Sequence, residues 1–404
     1  MNRVVRTLSS PEAEIGSKVD DLWQGMEPQL TPSEKLNSCF KELEVSSFPS
    51  TPLSQVIEIP SDLSLRETVE ILSKHKILSA PVRDVGAPDD ASWMERYIGV
   101  VEFAGVSMWL LQQLELSANG KDGSTEAVTD GDKPASITGS FFETLTSSEF
   151  YKNTKVKDIS GSFRWAPFLA LQTSDSFLTM LLLLSKYNIR SLPVVDFGEG
   201  KLVNVITQSA VVHMLAECVG LDWFENWGNK SLAEVGLPST DPLNLVKVKD
   251  YEFTILDLNV KEDEPVLKAF QLMQKKGIGG LPVVDASGNH AIGNISIRDV
   301  QYLLTASEIY KDYRTITAKD FLTAIQSYLA KHKPDSPVIK GVIGCKKNDT
   351  LKDVILKLDS KNIHRLYVTG ENNTLEGVVT LRDIISKLVY EPPNYFGDFF
   401  DIFM

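Results

Sequence analysis

The sequence predicts an α/β (α+β) protein built from four copies of one small unit, and three observations carry that expectation. Four segments place apolar residues at offsets 0, +4, +7 and +12. They are Leu65, Val69, Leu72 and Ile77; Phe177, Leu181, Leu184 and Ile189; Val266, Phe270, Met273 and Ile278; and Leu351, Ile355, Leu358 and Ile363. Each +12 residue then opens a short aliphatic run, and a second such run and another helical pattern follow it. Self-similarity of this kind marks a repeat architecture. The composition agrees, with 43% hydrophobic and 24% charged residues in 404, an ordinary globular balance with material for two to three domains.

Positions 0, +4 and +7 share one face of a helix with 3.6 residues per turn. A polar turn follows, such as Ser73–Lys76 or Gln274–Gly277. The runs 77–82, 189–195, 278–284 and 363–368, bounded by Asp and Gly, read as buried strands. Second strands are expected at 97–101, 203–206, 291–295 and 375–379, and closing helices at 106–114, 210–218, 298–304 and 382–389. A leading strand precedes the first helix, as at 56–59 and 168–171.

The charge narrows the function. Acids exceed bases and the formal net charge is −13, which excludes a general nucleic-acid surface but leaves room for a small basic pocket. Cys39, Cys218 and Cys345 are scattered and odd in number, so a disulfide framework or zinc spacing is not expected and a reducing compartment fits. The longest apolar stretch, near 178–184, is far short of the ~20 residues that span a bilayer. The first thirty residues lack the apolar core of a signal peptide. No two histidines stand at i, i+4, so no metal is expected. Gly277-Ile-Gly-Gly280 follows a helical pattern, whereas a phosphate loop follows a strand. No nucleophile or base arrangement suggests an enzyme.

The third and fourth copies end their last strand with a hydroxyl and place an aspartate three residues on: Ser296-Ile-Arg298-Asp299 and Thr380-Leu-Arg382-Asp383. On the plainer reading these are helix caps and first-turn acids. On the functional one, the carboxylate is an acceptor that can take two hydroxyls of a cis-diol at once, and the nearby helix N-terminus favours an anion. Both readings are compatible with one geometry.

The unit resembles the cystathionine-β-synthase (CBS) repeat, in which this hydroxyl and aspartate line an adenine-nucleotide cleft. The resemblance covers about residues 55–390 and implies two Bateman-type pairs of repeats in a disc. Four copies in one chain are similar to the gamma regulatory subunits of AMP-activated and sucrose-non-fermenting-type protein kinases. The fourth copy's Asn362-Ile-His364-Arg365-Leu-Tyr-Val368 resembles that family's His-Arg-Leu-x-Val strand, which implies that His364 and Arg365 hold phosphates. Read alone, they would be a solvent-facing pair on an edge strand. The segments 141–149, 157–168 and 395–400 are closest to plant gamma subunits. The start lies too near the first repeat for the carbohydrate-binding module that one plant form carries.

The resemblance implies a non-catalytic subunit of a heterotrimeric Ser/Thr kinase, partnered by a catalytic alpha and a beta subunit and acting in energy and carbohydrate signalling. It implies AMP, ADP or ATP as ligand, no required cofactor, and the cytoplasm, with the nucleus as a second place. The implied nucleotide residues are Asp299, Asp383, Ser296, Thr380, His364, Arg365, Arg298, Arg382, Thr207 and Arg190. An acidic body makes His364, Arg365, Arg298 and Arg382 a local exception in charge.

Departures point the other way. Repeat one has Glu102 at the hydroxyl position, where it would repel a ribose-phosphate, and Gly105 at the aspartate. Its arginine position is Leu78 or Ser79. Repeat two keeps Thr207, but Ala210 replaces its aspartate, and its His-Arg position reads Arg190-Ser191. These features support an alternative, a scaffold subunit of the same complex that has lost nucleotide response.

The expected organisation is a flexible N-terminal arm at 1–35, with Pro11, Pro28, Pro32 and an anchoring Trp23; repeats at 36–116, 140–220, 251–306 and 337–390; a flexible linker at 117–139; connections at 221–250 and 307–336; and an aromatic tail at 391–404. The tail, and Trp223-Phe-Glu-Asn-Trp227, read either as docking strips or as rings folded back onto the body.

Overall fold

A computed structural model describes residues 10–49, 56–119, 148–238 and 259–397, apart from positions 76, 89, 188, 199, 307, 308 and 335. The expected linker beyond residue 119 and the aromatics Phe399, Phe400 and Phe403 lie outside the described residues.

Two helices come first, α1 (Pro11–Gly25) and α2 (Pro32–Glu42). The flexible arm expected here is corrected. Ser10 and Thr31 cap the helices, and Pro11 and Pro32 occupy first-turn positions, where a missing N–H costs nothing. Ile15, Val19, Leu36, Cys39 and Phe40 are buried in the largest core.

Four three-stranded sheets follow. Repeat one has β1 (Ile59–Pro60), α3 (Leu65–Lys74), β2 (Ser79–Arg83), a short α4 (Trp93–Arg96), β3 (Tyr97–Glu102) and α5 (Phe103–Asn119). Repeat two has α6 (Glu149–Asn153), β4 (Leu171–Gln172), α7 (Phe177–Lys186), β5 (Ser191–Asp196), β6 (Lys201–Thr207) and α8 (Gln208–Glu217), with α9 (Asp222–Gly228) beyond. Repeat three has β7 (Val260–Lys261), α10 (Val266–Lys276), β8 (Gly280–Val284), β9 (Ala291–Ser296) and α11 (Val300–Thr305), then α12 (Ala318–His332). Repeat four has β10 (Gly344–Cys345), α13 (Leu351–Ser360), β11 (Arg365–Thr369), β12 (Leu375–Thr380) and α14 (Leu381–Leu388).

Each sheet joins its leading strand in parallel to the middle one, and the middle one antiparallel to the last. The register repeats too. Ser79 faces Glu102, Ser191 faces Thr207, Gly280 faces Ser296 and Arg365 faces Thr380.

The repeats interlock within each pair. The chain before one repeat seats on its partner. Phe177 N donates to Leu43 O at 2.8 Å, and Leu65 N donates to Thr154 O at 2.9 Å. Likewise Leu351 N donates to Lys230 O at 2.9 Å and Val266 N to Ile316 O at 2.9 Å. Sheets one and two meet through Tyr97, Val100 and Phe168, and sheets three and four through Val284, Tyr367 and Leu375. Helices join the pairs: α5 packs into repeat three through Met108 and Leu111, and repeats two and four share one core. The four units thus ring a common centre.

Among the described residues, the aromatic ambiguities resolve toward packing. Trp223 and Phe224 are fully buried, and Trp227 Nε1 donates to Lys387 O at 3.0 Å. In the tail, Phe396 packs edge-on against Tyr187, and the Tyr395 hydroxyl lies 3.0 Å from Thr179 Oγ1.

Candidate functional site

The centre of the ring is a cluster of arginines drawn from the second, third and fourth units, joined by a glutamate from the first. Arg365 begins β11, and Arg190 immediately precedes β5. Arg298 sits in the single 3-10 turn between β9 and α11. Arg164 comes from the chain ahead of repeat two, at a positive φ of 68° that an ordinary residue adopts at a cost of roughly 1 kcal/mol. Its side chain is only 6% exposed. Repeat one supplies Glu102, whose carboxylate lies 3.7 Å from Arg164 Nη1 and 3.6 Å from Arg190 Nη1.

Two glycines make room. A Cβ on Gly280 would stand 1.5 Å from Arg365 Nη1, and one on Gly279 would stand 2.6 Å from Arg164 Nη2. These glycines occupy in repeat three the register positions of His364 and Arg365 in repeat four. The Gly-Gly that fails as a phosphate loop is instead the clearance for two arginines.

Burial at this density of like charge has electrostatic consequences. Burial, then Arg190, pushes the Arg164 guanidinium down to about 10 despite Glu102. His364 falls from 6.5 to about 3 through burial and the charges of Arg298, Arg365 and Arg164. It is neutral at pH 7, with Nε2 3.2 Å from Ser209 Oγ. Asp299 is raised to about 6 by burial, against the pull of its Ser296 bonds and of Arg365 and Arg298. Among the described residues, Arg164 Nε and Arg365 Nη1 are buried without a hydrogen-bond partner.

A pH dependence follows. His364 is depressed in the folded chain, so the stability it contributes is present above about 6.5 and is lost as pH falls from there toward 3. Asp299 acts oppositely between about 6 and 3.8, where the folded chain takes the proton more readily. His364→Gln is therefore expected to lose less thermal stability between pH 6.5 and 5 than the parent, as melting temperatures across that range will show.

The remaining sequence-predicted residues divide. Ser296 N and Thr380 N donate to Oδ2 of Asp299 and Asp383 at 2.7 and 2.8 Å, so both motifs are helix caps. Asp299 also joins the cluster. The charges acting on Asp383 are Arg382 and Lys387. Arg382 Nε donates to Ser185 O at 2.7 Å, at the end of α7, and the cluster charge that acts on it is Arg190. Thr207 caps α8 by accepting from Ala210 N at 3.2 Å. Gly105 does not front an open ribose cleft. A Cβ there would meet Phe163 O at 2.8 Å and Arg164 Cβ at 3.0 Å.

Beside the cluster, a cavity of about 260 Å³ is lined by Ser209, Ala210, His213, Asp359, Ile363 and Leu381. His213 Nδ1 and Asp359 Oδ1 stand 3.0 Å apart at its edge. Arg164 was missed as a site residue. Its signal was an arginine one residue before Trp165, in a segment that periodicity does not describe.

The CBS domain family matches residues 156–217, 248–305 and 338–390. The SNF1-related protein kinase regulatory subunit gamma-1 of Arabidopsis thaliana is 56% identical over 98% of this chain and 93% of its own length. The chain belongs to the gamma regulatory subunits of the SNF1-related protein kinases. A second Arabidopsis relative, the gamma-1-like regulatory subunit, is 36% identical over 90% of this chain and 89% of its own. Protein MJ1225 of Methanocaldococcus jannaschii, described as an archaeal homologue of the AMPK gamma subunit, shares the fold at TM-score 0.55 and 14% identity, covering 85% of this chain and 99% of its own. The expected kinship with plant gamma subunits is thus borne out. In this gamma subunit the arginine cluster is where the four units converge.

Proposed function

We propose that this gamma subunit binds an adenine nucleotide between its CBS repeats, with phosphate on Arg164, Arg190, Arg298 and Arg365 and ribose on Asp299. The observation that carries the reading is the pair of buried, unpartnered donors, Arg164 Nε and Arg365 Nη1. Buried donors are almost always bonded, and charged ones most of all, so an acceptor is missing from the chain itself. Arginine's rigid fork suits phosphate oxygens. Asp299 caps its helix through Oδ2, which leaves Oδ1 for a ribose hydroxyl.

A ligand gripped by residues from separate repeats stabilises one arrangement of them, and a kinase segment that recognises that arrangement responds to nucleotide. The subunit itself performs no chemistry and works with a catalytic alpha and a beta subunit, in energy and carbohydrate signalling. Buried Cys39 and Cys345, whose thiols burial pushes up to about 11, suit the reducing cytoplasm or nucleus.

Asp299→Asn tests the reading. Asparagine keeps an oxygen for the Ser296 cap but loses the charge that takes a diol. Calorimetry on the assembled kinase complex is expected to show AMP binding weakened by about tenfold, ~1.4 kcal/mol, with assembly unchanged. A complex in which the parent binds neither AMP nor ATP supports the scaffold alternative.

A further inference from the structure

Glu102 stands where the other repeats carry a hydroxyl: Thr207, Ser296 and Thr380 hold the same register position, opposite the first residue of the middle strand. Those three cap helices. Glu102 instead reaches into the cluster, 3.6 Å from Arg190 Nη1 and 3.7 Å from Arg164 Nη1, and it also acts on Arg298. Both separations exceed the ~2.7–2.9 Å of a charge-assisted hydrogen bond. The carboxylate balances charge without consuming donors. Its side chain is 21% exposed, whereas that of Arg164 is 6% exposed, so Glu102 has a route to solvent that Arg164 lacks.

We propose that Glu102 is a tethered substitute for phosphate, which steadies the arginines in the free chain and yields when a phosphorylated ligand arrives. The inference rests on the nucleotide reading and deepens it, because it assigns one residue the setting of charge selectivity. Without a counter-charge, several buried guanidiniums repel one another and destabilise the ring. With Glu102 in place, an incoming anion must out-compete a carboxylate that never leaves the chain. A group carrying one negative charge gains little by the exchange. A phosphate carries about two charges and three oxygens able to accept short bonds, including from the unused Arg164 Nε and Arg365 Nη1. The advantage grows with each further phosphate. Glu102 thus discriminates against singly charged anions and in favour of ligands that add ribose contacts or more charge.

The test compares the parent, Glu102→Gln and Glu102→Thr in the full kinase complex, titrated calorimetrically with inorganic phosphate, AMP and ATP, with adenosine as an uncharged control. The threonine variant restores the hydroxyl of the other repeats. Both variants are expected to bind phosphate and AMP at least tenfold more tightly than the parent and to leave adenosine binding unchanged. Both should also melt lower than the parent in phosphate-free buffer and recover when phosphate is added, which provides a second readout if either folds poorly. Unchanged or weaker phosphate affinity, or a melting loss that phosphate does not repair, overturns the proposal while the parent's AMP binding preserves the nucleotide reading. If neither parent nor variants bind any phosphate compound, the nucleotide reading falls and the proposal with it.

Discussion

Gly280→Ala is expected to weaken nucleotide binding by about 100-fold while leaving a folded chain. The new methyl would lie 1.5 Å from Arg365 Nη1 and 2.5 Å from its Cζ. The atoms in the way belong to the far end of a flexible side chain, so the guanidinium is what moves. Ile295 O, at 2.9 Å, demands a smaller strand adjustment, of the ~1–3 kcal/mol typical of overpacking. Hydrogen bonds to a charged group contribute roughly 1.5–3 kcal/mol each, so a shift of the guanidinium that loses one strong bond to phosphate costs about 2.7 kcal/mol, the stated 100-fold. Gly277→Ala is the control. It caps α10 at a φ of 66° with open space around it, so it is expected to cost about 1 kcal/mol of stability and leave binding unchanged. Equal binding by the Gly280 variant would mean that Arg365 does not hold the ligand.

The largest stability effect is expected at Trp223. Its indole is fully buried, Nε1 donates to Gly16 O at 3.0 Å, and its ring meets Phe40 and Phe224 edge-on at 5.9 and 5.7 Å. Its backbone N–H donates to Asp20 Oδ1 at 3.2 Å. Trp223→Ala therefore opens a cavity where α1, α2 and α9 converge and is expected to cost about 3–5 kcal/mol. Urea denaturation measures the loss, and limited proteolysis should show cleavage between residues 10 and 43 before the rest. Phe197→Ala, at a ring 53% exposed, is expected to change stability by no more than about 0.5 kcal/mol. A Trp223 variant as stable as that one would return the N-terminal helices to the status of a loose arm.

The two substitutions also show where the sequence was legible. The helices and strands were, because the spacing of Leu65, Val69 and Leu72 and its three echoes is the geometry of a buried helical face, and each isoleucine at +12 stands two residues before the start of a middle strand. His364 and Arg365 stand out in the sequence only through their resemblance to the family's His-Arg-Leu-x-Val strand; read alone, they are a solvent-facing pair on an edge strand. Pro11 and Pro32 misled: proline breaks a helix in its interior but favours its first turn, and the caps at Ser10 and Thr31 were the better signal. Arg164 was hidden for a deeper reason. It enters the centre because the chain ahead of repeat two crosses repeat one, where Ala166 pairs with Val100, and no local periodicity encodes an exchange between units. The same exchange covers Gly105, so the missing aspartate of repeat one reflects a filled space. Glu102 reads in the sequence only as a charge that would repel a ribose-phosphate, because the arginines it faces lie too far away in sequence to be paired with it in advance.

The central claim is that the four units converge on one anion, held by arginines that the chain alone leaves unsatisfied. Native mass spectrometry of the purified kinase complex, with the parent chain and with Gly280→Ala side by side, tests it most directly. The parent complex is expected to carry the mass of an adenine nucleotide when AMP or ATP is supplied, and the Gly280→Ala complex to lose it at the same concentration while retaining its subunits. A parent complex that keeps its bare mass at saturating nucleotide, or a variant that retains the ligand undiminished, would contradict the account.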